Sequence, residues 1–229
     1  MLSATGTYNY KLAKWLDEKL KPLSANDHTI SNVFNFVDAL HDMEVYDNSI
    51  LVSYHVTSLF TNVPVYETIQ ILAEKVFKDD WLNKQHNLNI TKSALVELLN
   101  IATKNQLFQF EGSLYEETDG VAMGSPTGPL MANAFMCSIE DRLQDQGKLP
   151  EFYKRYVDNT LSIMPDTETA EAFLSFLNES HPSANFTVEL GEYGKLPFPG
   201  TEIRKCNGRL ETRVYRKPTD TALQEPRQC

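Results

Sequence analysis

Cysteine is scarce in this chain: Cys137, Cys206 and Cys229 are too few and too scattered for a disulfide framework or a C-x-x-C metal site. They read as free thiols in a reducing compartment. No stretch is apolar for long enough to span a bilayer, and Met1-Leu2-Ser3-Ala4-Thr5-Gly6 lacks the charged and apolar regions of a secretory leader. The expectation is therefore an intracellular protein, nuclear or cytoplasmic, with no membrane partner and with sequons such as Asn185-Phe186-Thr187 unglycosylated. Repeats, low-complexity tracts and Pro- or Gly-rich linkers are absent too, which points to a single α+β unit. Positive charge is short, with 21 Lys and Arg against 31 Asp and Glu and a net charge of -10. Because phosphate backbones call for basic surfaces, any role with nucleic acid must rest on a local basic patch. What is present is enough apolar content, 41% of 229 residues, for one sizeable core or two small ones.

Periodicity locates the elements. Tyr8, Leu12, Trp15, Leu16 and Leu20 fall at helical spacing before Pro22, and Ile30, Val33, Phe34, Val37 and Leu40 predict a second amphipathic helix. The run from Ile50 to Val56 predicts a buried strand, followed by a helix with Pro64 near its first turn. Thr91 is placed to cap a helix carrying Leu95, Leu98, Leu99 and Ala102, and Leu107 to Glu117 predicts a hairpin turning at Glu111-Gly112. A glycine-bearing loop, Gly120 to Pro129, then leads into an apolar helix through Leu130, Ala134, Cys137 and Leu143. Ala170, Phe173, Leu174 and Leu177 predict a further helix, and Asn185 to Leu190 a strand.

Two hairpins carry chemistry. In Arg155-Tyr156-Val157-Asp158-Asn159-Thr160-Leu161-Ser162-Ile163, β-prone runs flank an acidic, turn-forming pair, which lifts Asp158 to an exposed tip. Taken alone, Asp158 reads as an ordinary turn aspartate. Asn207-Gly208 predicts a two-residue hairpin loop that sets Arg204 opposite Glu211 and Glu202 opposite Arg213. That ribbon, with Arg204, Lys205, Arg209, Arg213, Arg216 and Lys217, is the local exception to the acidic chain. Its basic residues are read equally as cross-strand ion pairs and as contacts for phosphate.

Five segments, in order, resemble the reverse transcriptases of Penelope-like retroelements, relatives of telomerase. Leu51-Val52-Ser53-Tyr54-His55-Val56-Thr57-Ser58-Leu59-Phe60-Thr61-Asn62-Val63-Pro64 is similar to the family's L-V-S-F-D-V-T-S-L-F-T-N-V-P. Gly120 to Pro129 resembles G-V-A-M-G-S-P-L-S-P, and Tyr156-Val157-Asp158-Asn159 resembles Y-V-D-D. Val214-Tyr215-Arg216-Lys217-Pro218-Thr219 and Thr7-Tyr8-Asn9 with Leu12-Ala13-Lys14 complete the set. The resemblance implies a reverse-transcriptase-like palm at 49–229, an antiparallel sheet backed by helices, with partial fingers at 1–48. It also implies RNA-directed DNA polymerase activity on a primer-template with deoxynucleoside triphosphates and Mg²⁺ or Mn²⁺. Asp158 is then the metal ligand and Val56 offers its carbonyl near the incoming nucleotide. Phe60 is the gate against a ribose 2′-hydroxyl, Met123 and Gly124 pack on nucleotide and template, and Arg213, Arg216 and Lys217 meet nucleic acid.

The departures make the reading specific. His55 stands where the family has the aspartate that bridges both metals, and an imidazole offers one uncharged nitrogen suited to Zn or Cu rather than Mg. Asn159 replaces the second hairpin aspartate, Gly128 replaces a serine, and Phe198-Pro199-Gly200 stands in place of F-L-D. By the same resemblance the chain starts after the basic triphosphate-gripping segment and stops before the thumb, and has no room for a GIY-YIG endonuclease. The expectation is a reverse transcriptase fragment that is catalytically defective. The other reading is a non-catalytic palm, retained from a decayed retroelement, that binds nucleic acid or a protein. A new metal site at His55 is also conceivable from its chemistry, but His41, His86 and His181 show no ligand spacing toward it.

Overall fold

Residues 9–104, 107–111, 113–116, 120–122 and 124–215 are described by a computed structural model of the chain. In chain order come helix α1 (Tyr10–Leu20), a short 3₁₀ turn (Lys21–Ser24), helix α2 (Val33–His41) and strand β1 (Ile50–Val56). Helices α3 (Leu59–Asn62), α4 (Val65–Phe77), α5 (Trp81–His86) and α6 (Lys92–Thr103) follow, then the hairpin of β2 (Leu107–Phe110) and β3 (Ser113–Glu116). The remaining elements are α7 (Thr127–Asp145), β4 (Phe152–Tyr156), β5 (Asn159–Met164), α8 (Thr167–Ser180), β6 (Phe186–Leu190), β7 (Lys195–Phe198), β8 (Thr201–Cys206) and β9 (Arg209–Val214). The architecture is the expected α+β, with antiparallel sheets and helices.

The main sheet has the order β4-β5-β1-β6 and every pairing in it is antiparallel. Because side chains alternate across a strand, β1 sends Val52, Tyr54 and Val56 to one face and Leu51, Ser53 and His55 to the other. The first face packs into the large core with Leu16, Leu72, Leu99, Phe135 and Phe173 from α1, α4, α6, α7 and α8. Each such fully buried aliphatic or aromatic side chain contributes roughly 1.5–3 kcal/mol, so this face holds the sheet to its helices. On the second face Leu51 joins a smaller core built from Phe36 and Leu40 of α2 and Leu196, Phe198, Ile203 and Leu210 of the sheet β7-β8-β9. That cover stops short of the Val56 end of β1, and His55 emerges from the sheet there, exposed.

Local signals account for most boundaries. Thr91 caps α6 by accepting a hydrogen bond from the Ala94 N–H at 3.2 Å, Pro64 stands at the cap of α4, and Leu107–Phe110 pairs with Ser113–Glu116 as the expected hairpin, Gly112 of its turn lying outside the described residues. The Asn207-Gly208 loop, both residues at positive φ, pairs Arg204 with Glu211 and Glu202 with Arg213. Two expectations need correction. Val33 and Phe34 are solvent-exposed, Phe34 at 83%, and α2 buries the expected Leu40 together with Phe36. In the β4–β5 hairpin the turn residues are Val157 and Asp158, while Asn159 already pairs with Tyr156 and with His55. Strand β7 tolerates Pro197 because it lies on the edge of its sheet, where a missing N–H leaves the ladder intact.

Candidate functional site

The register of β1 against β5 sets His55 directly opposite Asn159, and the turn raises Asp158 beside both. The Val56 N–H donates to the Asp158 carbonyl at 2.9 Å, which ties the tip of the hairpin to the end of β1. His55 Nδ1 lies 3.2 Å from Asn159 Oδ1 and 4.0 Å from Asp158 Oδ2, and the Asn159 amide donates to Asp158 Oδ1 at 2.7 Å. The carboxamide oxygen accepts and its nitrogen donates, so a proton on Nδ1 completes a relay from His55 through Asn159 to Asp158. Side-chain exposures of 47% for His55 and 34% for Asp158 keep this cluster open to solvent. The structure thus brings together all three residues that the sequence picked out. Among the described residues no three His, Cys, Asp or Glu side chains gather to hold a metal ion.

Beneath the tip lies a feature that sequence reading missed. Arg155 and Glu140 are both wholly buried, where charges occur almost only in pairs. Strand alternation turns Arg155 of β4 toward the helices, and α7 presents Glu140 to it. The guanidinium donates from Nε to Glu140 Oε1 at 2.5 Å and from Nη2 to Oε2 at 3.2 Å, a bidentate pair. Nη1 reaches Asn133 Oδ1 at 2.8 Å and the Val157 carbonyl at 3.1 Å, while Tyr153 Oη and Asn26 Nδ2 donate to the two carboxylate oxygens of Glu140. Burial works against the charge of Arg155, but the adjacent Glu140 carboxylate outweighs it and raises the pKa above its ordinary value. Burial, reinforced by Glu140, likewise pushes the Tyr153 phenol up. Val157 has φ 58, an unfavourable conformation for a β-branched residue. The turn beside Asp158 is therefore held from below by a buried arginine. The sole sequence signal was a cation within a strand otherwise suited to burial.

The glycine loop closes against the strand-to-helix connection after β1. The Val121 N–H donates to the Phe60 carbonyl at 2.8 Å, and Phe60 packs half-buried against the large core. Gly120, with φ +85, lies so near Thr61 that a Cβ would stand 2.6 Å from its carbonyl oxygen, so only glycine fits. Gly124 is exposed with open space around it. Met123 lies outside the described residues, as do Arg216 and Lys217. On the basic ribbon, Glu202 pairs with Arg204 along β8 instead of reaching across the strands. Lys205 is taken up by the Asp47 and Ser49 carbonyls. Arg209 and Arg213 are exposed, and no ion pair or hydrogen bond of their side chains is present among the described residues.

The remaining candidate ligands are satisfied elsewhere. His181 Nε2 meets Glu67 at 3.0 Å, His41 Nε2 meets Thr212 at 3.0 Å, and His86 Nδ1 lies 3.4 Å from Lys19. Cys137 is buried with its thiol pKa raised by that burial, and Cys206 is exposed; neither is in a disulfide. No described helix is long and apolar enough to cross a membrane.

No protein-family model matches the chain. Its sequence is similar to the telomerase reverse transcriptase of Rattus norvegicus, 25% identical over 119 residues, which is 47% of this chain and 11% of that protein. In three dimensions it is similar to telomerase from Candida albicans in complex with a fragment of telomeric RNA, with a TM-score of 0.62 and 14% identity. That match covers 87% of this chain and 38% of the other. It is also similar to apo telomerase from Candida tropicalis truncated from its C-terminal domain, with a TM-score of 0.60, 16% identity, and coverage of 89% and 45%. The chain therefore spans less than half the length of each of these proteins. The likeness establishes a reverse-transcriptase-like fold.

Proposed function

We propose that this chain is a reverse-transcriptase-like palm of Penelope-like retroelement type, with partial fingers at 1–48, that keeps a nucleic-acid-binding scaffold and has lost nucleotidyl transfer. The observation that carries this reading is the His55–Asn159 pair. Two-metal phosphoryl transfer needs carboxylates from neighbouring strands to share hard cations, and here one carboxylate, Asp158, faces an imidazole and an amide. The donors present do not fit a Mg²⁺ pair, since Asp158 already accepts from Asn159 and His55 brings no negative charge at neutral form. In this reading Val56, Phe60, Met123 and Gly124 shape a nucleotide pocket that no longer supports chemistry. The partner is a primer-template duplex, met by the free arginines Arg209 and Arg213 together with Arg216 and Lys217.

Binding tests this reading. If Arg209 and Arg213 alone among the described residues neutralise phosphates, raising salt fourfold lowers affinity for an RNA–DNA duplex by about tenfold, and adding Arg216 and Lys217 steepens that dependence. Arg209→Gln with Arg213→Gln should flatten the slope by about two units. A duplex that fails to bind at low salt removes the nucleic-acid role and favours a protein-binding palm.

A further inference from the structure

At the other end of the main sheet, five residues along β5 from the Asp158 tip and about 17 Å away, lies a half-open trough of about 800 Å³. Its floor is the end of β5, Ile163 and Met164. One wall is Thr169, Phe173 and Phe176 of α8, another is 148–151 with Phe152 at the start of β4, and the third is the loop between α2 and β1. That loop is built in place. The Val45 N–H donates to the Gly208 carbonyl at 2.8 Å, and the Lys205 ammonium reaches the Asp47 and Ser49 carbonyls, so the β8–β9 hairpin braces the wall.

Three observations define what fits. The lining is apolar, with Met43, Val45, Phe152, Ile163, Phe173 and Phe176 facing the space. Aromatic side chains stay wet at the rim, Tyr46 at 81% exposure and Phe176 at 37%, as expected of a surface that awaits an apolar partner. The charge at the edge is negative: Glu44 and Glu151 line the trough and are exposed, with no ion pair among the described residues. Its cation, Lys148, sits 4.6 Å from the centroid of the Phe176 ring. Asp42, Asp47, Asp145, Asp166 and Glu168 lie on the same wall segments or next to them. An apolar bed with a carboxylate border is complementary to a helix that is apolar on one side and basic on its flanks.

We propose that this trough receives a basic amphipathic helix of a partner protein. Tyr46 and Phe176 would pack against its apolar stripe, and Glu44 and Glu151 would pair with its flanking Lys or Arg. The probe is a synthetic helical peptide of about five turns, with Leu and Phe on one stripe and Lys elsewhere, against a counterpart with Glu in place of Lys. Bound to the full chain at low salt, the Lys peptide should be held at least about tenfold more tightly than the Glu peptide. It should shift amide resonances of 43–49, 148–152 and 163–176 and leave those of His55 and Asp158 in place.

Because an acidic chain attracts any basic peptide, two double variants separate seating from bulk charge. Glu44→Lys with Glu151→Lys, and Tyr46→Ser with Phe176→Ser, should each weaken binding about tenfold. Glu18→Lys with Glu97→Lys, on helices that do not line the trough, should change it less than about twofold. Absence of Lys-peptide binding, equal loss from the remote pair, or indifference to Tyr46 and Phe176 would each overturn the proposal. So would a lipophilic amine such as 4-phenylbutylamine occupying the walls while the peptide does not, which would make the trough a small-molecule site.

Discussion

Removing Arg155 tests whether the hairpin tip is held from within the core. In Arg155→Met the Glu140 carboxylate stays wholly buried, with Tyr153 and Asn26 as its remaining donors and no positive charge beside it. Breaking one side of a buried pair costs about 3–5 kcal/mol, against a total stability of roughly 5–15 kcal/mol for a domain. Glu140→Leu, which leaves the guanidinium uncompensated, should cost a similar amount. The double variant discriminates. If the two charges are mainly each other's partners, Arg155→Met with Glu140→Leu costs about as much as either single change, because the second substitution removes the charge that the first left stranded. Equilibrium urea unfolding followed by circular dichroism measures this, and each single variant should lower the midpoint by roughly 1–2 M with little change in slope. In the folded state of Arg155→Met the Val157 carbonyl loses its donor, so amide resonances of Asp158, Asn159 and His55 should move. Single variants that cost less than about 1 kcal/mol, or a double variant equal to the sum of both, would show that the two charges are not each other's partners.

Ser162 has the one buried side-chain oxygen without a hydrogen-bond partner among the described residues, so Ser162→Ala should raise stability by about 1 kcal/mol in thermal melts. Asp166 caps α8 by accepting from the Thr169 N–H at 2.7 Å, and those hydrogen bonds lower its pKa below the ordinary 3.8. A lowered carboxylate pKa stabilises the fold above pH 3.8 and loses that contribution as pH falls through the folded value. Asp166→Asn, a cap that does not titrate, should therefore narrow its stability gap to the parent chain as melts are taken from neutral pH down to about pH 2. At Gly128 an added Cβ would stand 2.8 Å from the Ala122 carbonyl oxygen, so Gly128→Ser should destabilise by about 1–3 kcal/mol even though it restores the residue of the similar motif.

Much of this molecule is legible in its sequence because its signals are local. The β1 strand, the Thr91 cap, the Leu107 hairpin and the register of the Asn207-Gly208 ribbon follow from periodicity and turn chemistry, and the structure has each of them. The same holds for the meeting of His55, Asp158 and Asn159, which ordered motifs anticipated. What stayed hidden depends on contacts between distant segments. Glu140 and Arg155 are individually unremarkable in sequence, and only the packing of α7 under β4 makes them a buried pair. Phe34 and Leu40 both belong to the helical stripe expected for α2, yet the face that meets β7-β8-β9 carries Leu40 with Phe36 and leaves Phe34 exposed. Cross-strand charges were correctly opposed, but Arg204 found Glu202 on its own strand, since residues two apart share a face.

In the proposed reading, one carboxylate facing an imidazole and an amide does not support nucleotide addition. Primer extension with a labelled primer on an RNA template, with all four deoxynucleoside triphosphates and either Mg²⁺ or Mn²⁺, measures it most directly. No product above the unextended primer is expected from the chain as it stands. A ladder of extended products that Asp158→Ala abolishes would contradict it.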